Sequence, residues 1–133
     1  MNRVLPRGPR RLEERSRALG AAGHHLVDAR AAYFDQVLRF LVMGNVRRGN
    51  LYPLCVGAER VLQAQTLAHW AARLGTDTVV HGSTAAGNDQ VRFEVALRTL
   101  APGLTILAPV RDRAFKRPDQ VAYLEARGLP TGQ

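Results

Sequence analysis

Cysteine, lysine and long apolar runs are nearly absent from this chain. Cys55 is the single cysteine among 133 residues, so no internal disulfide can form, and its neighbours Leu54 and Val56 favour a small apolar side chain over a nucleophile. No run approaches the roughly 20 apolar residues of a membrane span, and no Cys/His spacing of a metal site occurs. A membrane protein and a metal protein are therefore disfavoured, and the cytoplasm is the expected location.

Charge of one sign dominates, because the formal net charge is +8 and Lys116 is the only lysine. Arginine suits bidentate contacts with carboxylates and phosphates, so acidic ligands or nucleic acid are the partners to consider. The basic residues are spread along the chain without an aromatic-basic platform or a nucleic-acid-binding motif, which argues against nucleic acid. Acidic small molecules remain the better expectation.

Apolar periodicity and turn residues predict helices that alternate with strands. Residues 1–8 read as irregular, and the rest, 9–133, as one partial domain. We predict helices over 10–19, 29–43, 58–74, 88–100 and 119–127, strands over 24–28, 78–81 and 104–108, and loops over 45–53 and 111–118. In the second helix, a stripe predicted to be core consists of Ala32, Phe34, Val37, Leu38, Leu41 and Val42. Such alternation favours an α/β fold, a partial layered parallel sheet with flanking helices.

The stretch from Val79 to Glu94 is the most informative part of the chain. A β-branched pair leads into a turn of glycine, serine and threonine, and that turn opens a helix with polar first residues. Small residues let a ligand approach the backbone, and a helix N-terminus attracts anions. Asn88 or Asp89 would cap the helix, with Arg92 on the same face one turn later. An ordinary βα connection with a solvated Arg92 explains the same pattern.

The literal residues resemble a known family. His81-Gly82-Ser83-Thr84 and Gly87-Asn88-Asp89-Gln90-Val91-Arg92-Phe93-Glu94 closely resemble the signature of argininosuccinate synthase. Two further segments agree, Gly49-Asn50-Leu51-Tyr52-Pro53-Leu54 and Ile106-Leu107-Ala108-Pro109-Val110-Arg111. The resemblance begins near Leu12 and matches a middle portion of that family's longer chain. It implies part of an adenine nucleotide alpha hydrolase-like (ATP pyrophosphatase) domain.

The resemblance also implies a reaction. In that family the citrulline ureido oxygen attacks the α-phosphorus of ATP, and the aspartate amine then displaces AMP from the citrullyl-adenylate. It implies ATP as a substrate, with magnesium, and places Gly82 on the nucleotide. Thr84, Asn88 and Asp89 would bind aspartate, while Tyr52, Asn88 and Arg92 would bind citrulline. The family forms homo-oligomers, an assembly that this chain puts in doubt.

Several positions depart from the family pattern. Ala85-Ala86 replaces a common Gly-Lys, and Cys55-Val56-Gly57 replaces a Gly-Thr-Ser whose hydroxyl is expected near citrulline. Arg60 retains a family arginine, with a structural or indirect role. No Ser-Gly-Gly-x-Asp-Thr-Ser pyrophosphate loop occurs in these residues, so the isolated chain is expected to be inactive. The two hypotheses are a piece of such a ligase and a non-catalytic module that holds an acidic metabolite or a protein partner.

Overall fold

A computed structural model of the chain describes residues 9–49 and 51–131. The predicted irregular segment 1–8 lies outside these residues. The chain divides into two compact units, the first ending at Arg30 and the second beginning at Ala31, and each is described by itself. The described helices and strands are α1 (Pro9–Ala18), α2 (Arg30–Tyr33), a π-helical segment (Phe34–Leu38), α3 (Arg39–Met43), β1 (Arg47–Arg48), β2 (Tyr52–Pro53), α4 (Cys55–Leu74), β3 (Thr78–Val80), α5 (Asp89–Leu100), β4 (Thr105–Leu107), α6 (Pro109–Asp112) and α7 (Arg117–Glu125).

The first unit contains α1, which confirms the predicted helix 10–19. It is followed by Gly20 at φ +87, a conformation that glycine adopts without strain. The predicted strand 24–28 is wrong, because these residues have no regular secondary structure. Extended backbone becomes a strand only when a neighbouring strand satisfies its N–H and C=O groups, and neither of the two described sheets includes this segment.

The predicted helix 29–43 is present but interrupted. Five residues in its middle, Phe34–Leu38, form the π-helical segment between α2 and α3. The prediction that its apolar stripe is core is wrong: none of the stripe's six residues is buried, and Phe34 and Val42 are 55% and 74% exposed. Helical spacing identified a common face, but described residues of the second unit cover that face only in part.

A short antiparallel ladder occupies the predicted loop 45–53. β1 pairs with β2 so that Arg47 lies opposite Pro53 and Arg48 opposite Tyr52. Gly49, in the turn between them, has φ +60, which favours glycine. The loop prediction therefore missed a hairpin of two residues a strand, too short to give an alternating pattern.

The sheet that positions the site is parallel, as predicted, but has two described strands instead of three. β3 and β4 pair with Val79 opposite Ile106, and the N–H of His81 extends the ladder to the carbonyl of Leu107 at 3.0 Å. The connection between them carries α5, the expected arrangement for parallel strands. The predicted α/β class is confirmed.

The core of the second unit lies where α4, α5 and β3 meet. Its buried members are Ala64, Ala71, Val79, Ala96 and Leu97. Small alanines on facing sides of α4 and α5 let the helices approach closely, and Leu97 fills the centre with no exposed surface. The predicted helix 58–74 is confirmed; it begins earlier, at Cys55, and ends at Leu74, followed by Gly75 in the left-handed conformation.

The C-terminal part departs from the predicted charged loop 111–118. Pro109 begins α6, because proline fits the first turn of a helix where its missing N–H is not needed. α7 begins at Arg117 with Pro118 in its first turn, and the Asp119 carboxylate accepts the Lys116 N–H at 2.9 Å. In the described part of the chain, no helix is both long and apolar enough to cross a bilayer.

Candidate functional site

The connection from β3 to α5 is an open, largely exposed loop. A Cβ added at Gly82 would meet nothing within 4 Å, so the backbone here is accessible to an approaching group. The Thr84 hydroxyl donates to the Ala86 carbonyl at 3.3 Å, and the Gln90 amide donates to the Ala85 carbonyl at 2.9 Å. The first bond closes the loop on itself and the second ties it to α5, while Gly82 and Thr84 stay exposed after the carboxyl end of β3.

Helix α5 begins without a side-chain cap. Asn88 precedes it, but its side chain makes no capping hydrogen bond, so capping by Asn88 is wrong. The reason is conformational, because Asn88 has φ −97 and ψ −3 instead of the extended backbone of a capping residue. Asp89 is the acidic residue of the first turn, where its negative charge interacts favourably with the positive end of the helix dipole.

Asp89 accepts hydrogen bonds from two arginines, one on each helix. Arg92, one turn along α5, donates from Nη1 to Oδ1 at 3.0 Å. Arg60 on α4 donates from Nε to Oδ2 at 3.1 Å. These guanidinium groups, Arg60 first and then Arg92, hold the pKa of Asp89 below its ordinary value. The carboxylate therefore stays ionised and joins the two helices.

The guanidinium of Arg92 also lies against Gly57 in the first turn of α4. A Cβ built on Gly57 would lie 3.3 Å from both Cζ and Nε of Arg92, a close approach that the missing side chain permits. Gly57 stands where the family pattern has serine, and its missing side chain leaves the space that Arg92 occupies.

His81, the residue directly after β3, is buried, with 8% of its surface exposed. Its Nδ1 accepts the Ser83 N–H at 3.3 Å, and its Nε2 is buried without a partner among the described residues. Burial, followed by the charge of Arg111, lowers the pKa of His81, so the imidazole is held neutral near pH 7. This ring supports the start of the loop and was not predicted as part of the site.

A second ionic contact fixes the opposite side of α5. Glu94 accepts hydrogen bonds from Arg98 at 2.7 Å and from Arg111, which follows β4. Arg98 and then Arg111 lower the pKa of Glu94. The same Arg111 donates to Asp112 at 2.8 Å, so the segment after β4 is tied to the helix that carries Asp89.

The structure brings together some of the predicted ligands. Asp89 and Arg92 are in direct contact, and Asn88, Thr84 and Gly82 precede them in the connecting loop. Tyr52 lies in β2, and its side chain is outside the part that the structure describes.

From the sequence, Arg60 was expected to have a structural or indirect role, and Gln63 was not singled out. Their helical spacing shows that the two share a face of α4, and Arg60 donates to Gln63 at 3.1 Å. The partner Asp89, however, is 29 positions away from Arg60. No local pattern encodes such a contact.

An apolar cavity of about 430 Å³ adjoins the site between α4 and α5. Its lining residues are Val61, Val91, Arg92, Val95, Ala96, Thr99 and Leu100. Such a lining does not suit charged amino acids or a nucleotide, so the exposed loop is the better place for polar ligands. The described residues gather no cluster of three or more His, Cys, Asp or Glu side chains able to hold a metal ion.

The chain has a polar turn at the carboxyl end of a parallel strand, followed by a helix N-terminus, and this is the edge at which open α/β sheets generally bind ligands. The family profile described as "Arginosuccinate synthase N-terminal HUP domain" matches residues 9–130. The chain belongs to this family.

Curated relatives agree with that assignment. The argininosuccinate synthase of Pyrobaculum aerophilum is 38% identical over 92% of this chain and 31% of its own length. Those of Metallosphaera sedula and Thermoplasma acidophilum are 39% and 38% identical over 91% and 90% of this chain, and over 31% and 29% of their own lengths. The chain therefore spans about a third of the length of these relatives.

Proposed function

We propose that this chain is the part of an argininosuccinate synthase-type ligase that holds the two amino-acid substrates against the nucleotide. The reaction joins citrulline and aspartate at the expense of ATP and releases AMP and pyrophosphate. The observation that carries the proposal is the Asp89–Arg92 ion pair in the first turn of α5, within a family match that covers residues 9–130.

Aspartate would be held by Thr84, Asn88 and Asp89. The ionised Asp89 is suited to the substrate ammonium, because its depressed pKa keeps the negative charge across the physiological range. The exposed Asn88 amide both donates and accepts, and the Thr84 hydroxyl exchanges its long 3.3 Å bond to Ala86 for a ligand at little cost.

Citrulline would be held by Tyr52, Asn88 and Arg92. Arg92 uses Nη1 on Asp89, and its side chain is 36% exposed, so its remaining donors can bind a carboxylate. The proposed contact of the Tyr52 hydroxyl with the polar end of citrulline rests on the family resemblance. Holding two amino acids beside the α-phosphorus would accelerate the reaction chiefly by positioning and charge stabilisation.

ATP would contact the open backbone at Gly82. Magnesium would accompany the phosphates of the nucleotide, since this ion prefers phosphate oxygens and water to cages made by protein alone. The 133 residues contain no Ser-Gly-Gly-x-Asp-Thr-Ser loop, so by themselves they should hold ATP poorly. A cytoplasmic location and a homo-oligomeric ligase complete the proposal.

A non-catalytic binding module is the second candidate. The observation that favours it is that the loop has no lysine, because Ala85-Ala86 stands where the family has Gly-Lys. Such a module would hold an acidic metabolite at the same helix start without turning over ATP.

A chimera tests the ligase proposal. Residues 9–130 would replace the matching segment of the Pyrobaculum aerophilum enzyme, and AMP formation would be measured with ATP, citrulline and aspartate. We expect activity, and we expect Arg92→Ala to raise KM for citrulline at least tenfold with little change for ATP. Arg98→Ala, on the same helix but paired with Glu94, is the matched control. A folded chimera without activity, or equal losses for citrulline and ATP in Arg92→Ala, would contradict the proposal.

A further inference from the structure

The two arginines that flank Asp89 are held in different ways. Each bonds a different carboxylate oxygen, Arg60 taking Oδ2 and Arg92 taking Oδ1. Both bonds can therefore exist at once, and loss of one leaves the other in place.

Arg60 is anchored by three neighbours. Besides Asp89 at 3.1 Å, its Nη1 donates to Gln63 at 3.1 Å and lies 3.6 Å from Glu59. Gln63 in turn donates to Glu59 at 2.7 Å, which closes the polar network on α4. A side chain held at several points loses most of its freedom before any ligand arrives.

Arg92 is held more loosely. Among the described residues, Asp89 is the one with which the Arg92 guanidinium forms a hydrogen bond, and the Arg92 side chain is 36% exposed against 26% for Arg60. Its guanidinium packs on Gly57, which offers no polar atom of a side chain to hold it. An exposed ion pair of this kind contributes little to stability, so a substrate carboxylate can compete for Arg92.

From these contacts we propose that Arg60 is the permanent partner of Asp89 and Arg92 the exchangeable one, which makes Arg60 a positioning residue of the amino-acid site. This inference rests on the proposed function. When Arg92 turns to a substrate carboxylate, Arg60 keeps Asp89 ionised and aimed at the loop. Arg60 itself touches neither amino acid.

The first test needs no ligand. Carbon-13 carboxyl titrations of the full chain would give the pKa of Asp89 in the unsubstituted protein and in variants. We expect Arg60→Gln to raise this pKa further than Arg92→Gln, because the Arg60 hydrogen bond is the largest cause of its depression. Arg60→Lys should fall between the unsubstituted protein and Arg60→Gln, and Arg98→Gln should leave the Asp89 pKa unchanged. A larger rise in Arg92→Gln would overturn the inference.

The second test follows the arginine Nε–H signals of the unsubstituted chain during titration with L-citrulline. We expect the Arg92 signal to shift and the Arg60 signal to stay in place. An Arg60 shift as large as that of Arg92 would overturn the inference while leaving the proposed function intact. If neither L-citrulline nor L-aspartate shifts any signal from 82–92, the proposed function fails, and the carboxyl titration still decides which arginine is the permanent partner.

Discussion

The imidazole of His81 stacks on the ring of Phe93, with centroids 5.5 Å apart and planes inclined by 19°. His81 directly follows β3 and Phe93 lies in the second turn of α5, so the contact spans the loop that carries Gly82 and Thr84. Stacking of this type adds about 0.5–1.5 kcal/mol beyond the area it buries. The loop is therefore fixed at both ends, by a ring at the strand and by an ion-pair network at the helix.

His81 should make the stability of the chain depend on pH. Its folded pKa is lowered, chiefly by burial, so below the ordinary value of about 6.5 the unfolded chain binds the proton more readily. The contribution of the neutral His81 to the free energy of unfolding is therefore fully present above pH 6.5 and is lost as the pH falls toward the folded pKa. For one group the slope is at most about 1.4 kcal/mol per pH unit. Urea unfolding between pH 5 and 7.5 would measure this slope.

His81→Gln keeps an acceptor for the Ser83 N–H but does not titrate, so the slope assigned to His81 should disappear even if overall stability falls. His69→Gln, which changes an exposed histidine on α4, is the control and should keep the slope. An unchanged slope in His81→Gln would show that His81 titrates alike in the folded and unfolded chain.

Gly57→Ser restores the family hydroxyl and tests the close approach of Arg92. The new Cβ would lie 3.3 Å from the guanidinium, which must move by a few tenths of an ångström. Because Arg92 is partly exposed and flexible, we expect it to move at little cost, while serine improves helix propensity by about 0.5 kcal/mol. The Arg92 Nε–H signal should shift, and the free energy of unfolding should change by less than about 1 kcal/mol.

The matched control for that substitution is Gly103→Ser, at a glycine where a Cβ would meet nothing within 4 Å. It should leave the Arg92 signal in place. If Gly57→Ser also leaves this signal in place, the contact between Gly57 and Arg92 does not exist in solution.

Leu97→Ala should be the most damaging truncation in the α4–α5 core. Leu97 is fully buried against the alanines of both helices, so its removal leaves a cavity and costs about 2–5 kcal/mol of unfolding free energy. Val95→Ala removes a side chain that is 59% exposed and should cost less than about 1 kcal/mol. Similar losses for both, measured by urea unfolding, would contradict the assignment of Leu97 to the core.

The purified 133 residues should form no AMP from ATP, citrulline and aspartate, because they contain no pyrophosphate loop. A coupled AMP assay with the Pyrobaculum aerophilum enzyme as positive control would test this. Robust turnover, lost in Arg92→Ala, would show that a different part of the chain holds the phosphates.

Local patterns predicted most of the second unit. The long helix α4 and the parallel strands β3 and β4 carry strong apolar signals bounded by glycine, and the structure confirms them. The predicted strand 24–28 failed because a strand depends on a neighbour that its own residues do not encode. The stripe that includes Phe34 and Val42 failed as core for a similar reason, since periodicity identifies a face but not what covers it.

The candidate site shows the same division. A motif of consecutive residues placed Arg92 about one turn beyond the helix start, and in the structure its Nη1 lies 3.0 Å from Oδ1 of Asp89. The contacts of Arg60 with Asp89 and of Gly57 with Arg92 cross from α4 to α5, so they follow from helix packing and not from spacing along the chain. The assignments of all the site residues to particular substrates remain predictions, namely those of Tyr52, Gly82, Thr84, Asn88, Asp89 and Arg92.

The central claim is that the loop and first turn 82–92 hold the amino-acid substrates. The most direct test is a titration of the isotope-labelled chain with L-aspartate and, separately, L-citrulline, followed through backbone amide signals. The account predicts shifts centred on Thr84, Asn88 and Asp89 with L-aspartate, weakened at least tenfold in affinity by Asp89→Asn, and on Arg92 with L-citrulline. Shifts confined to other residues, or none at millimolar ligand, would contradict it.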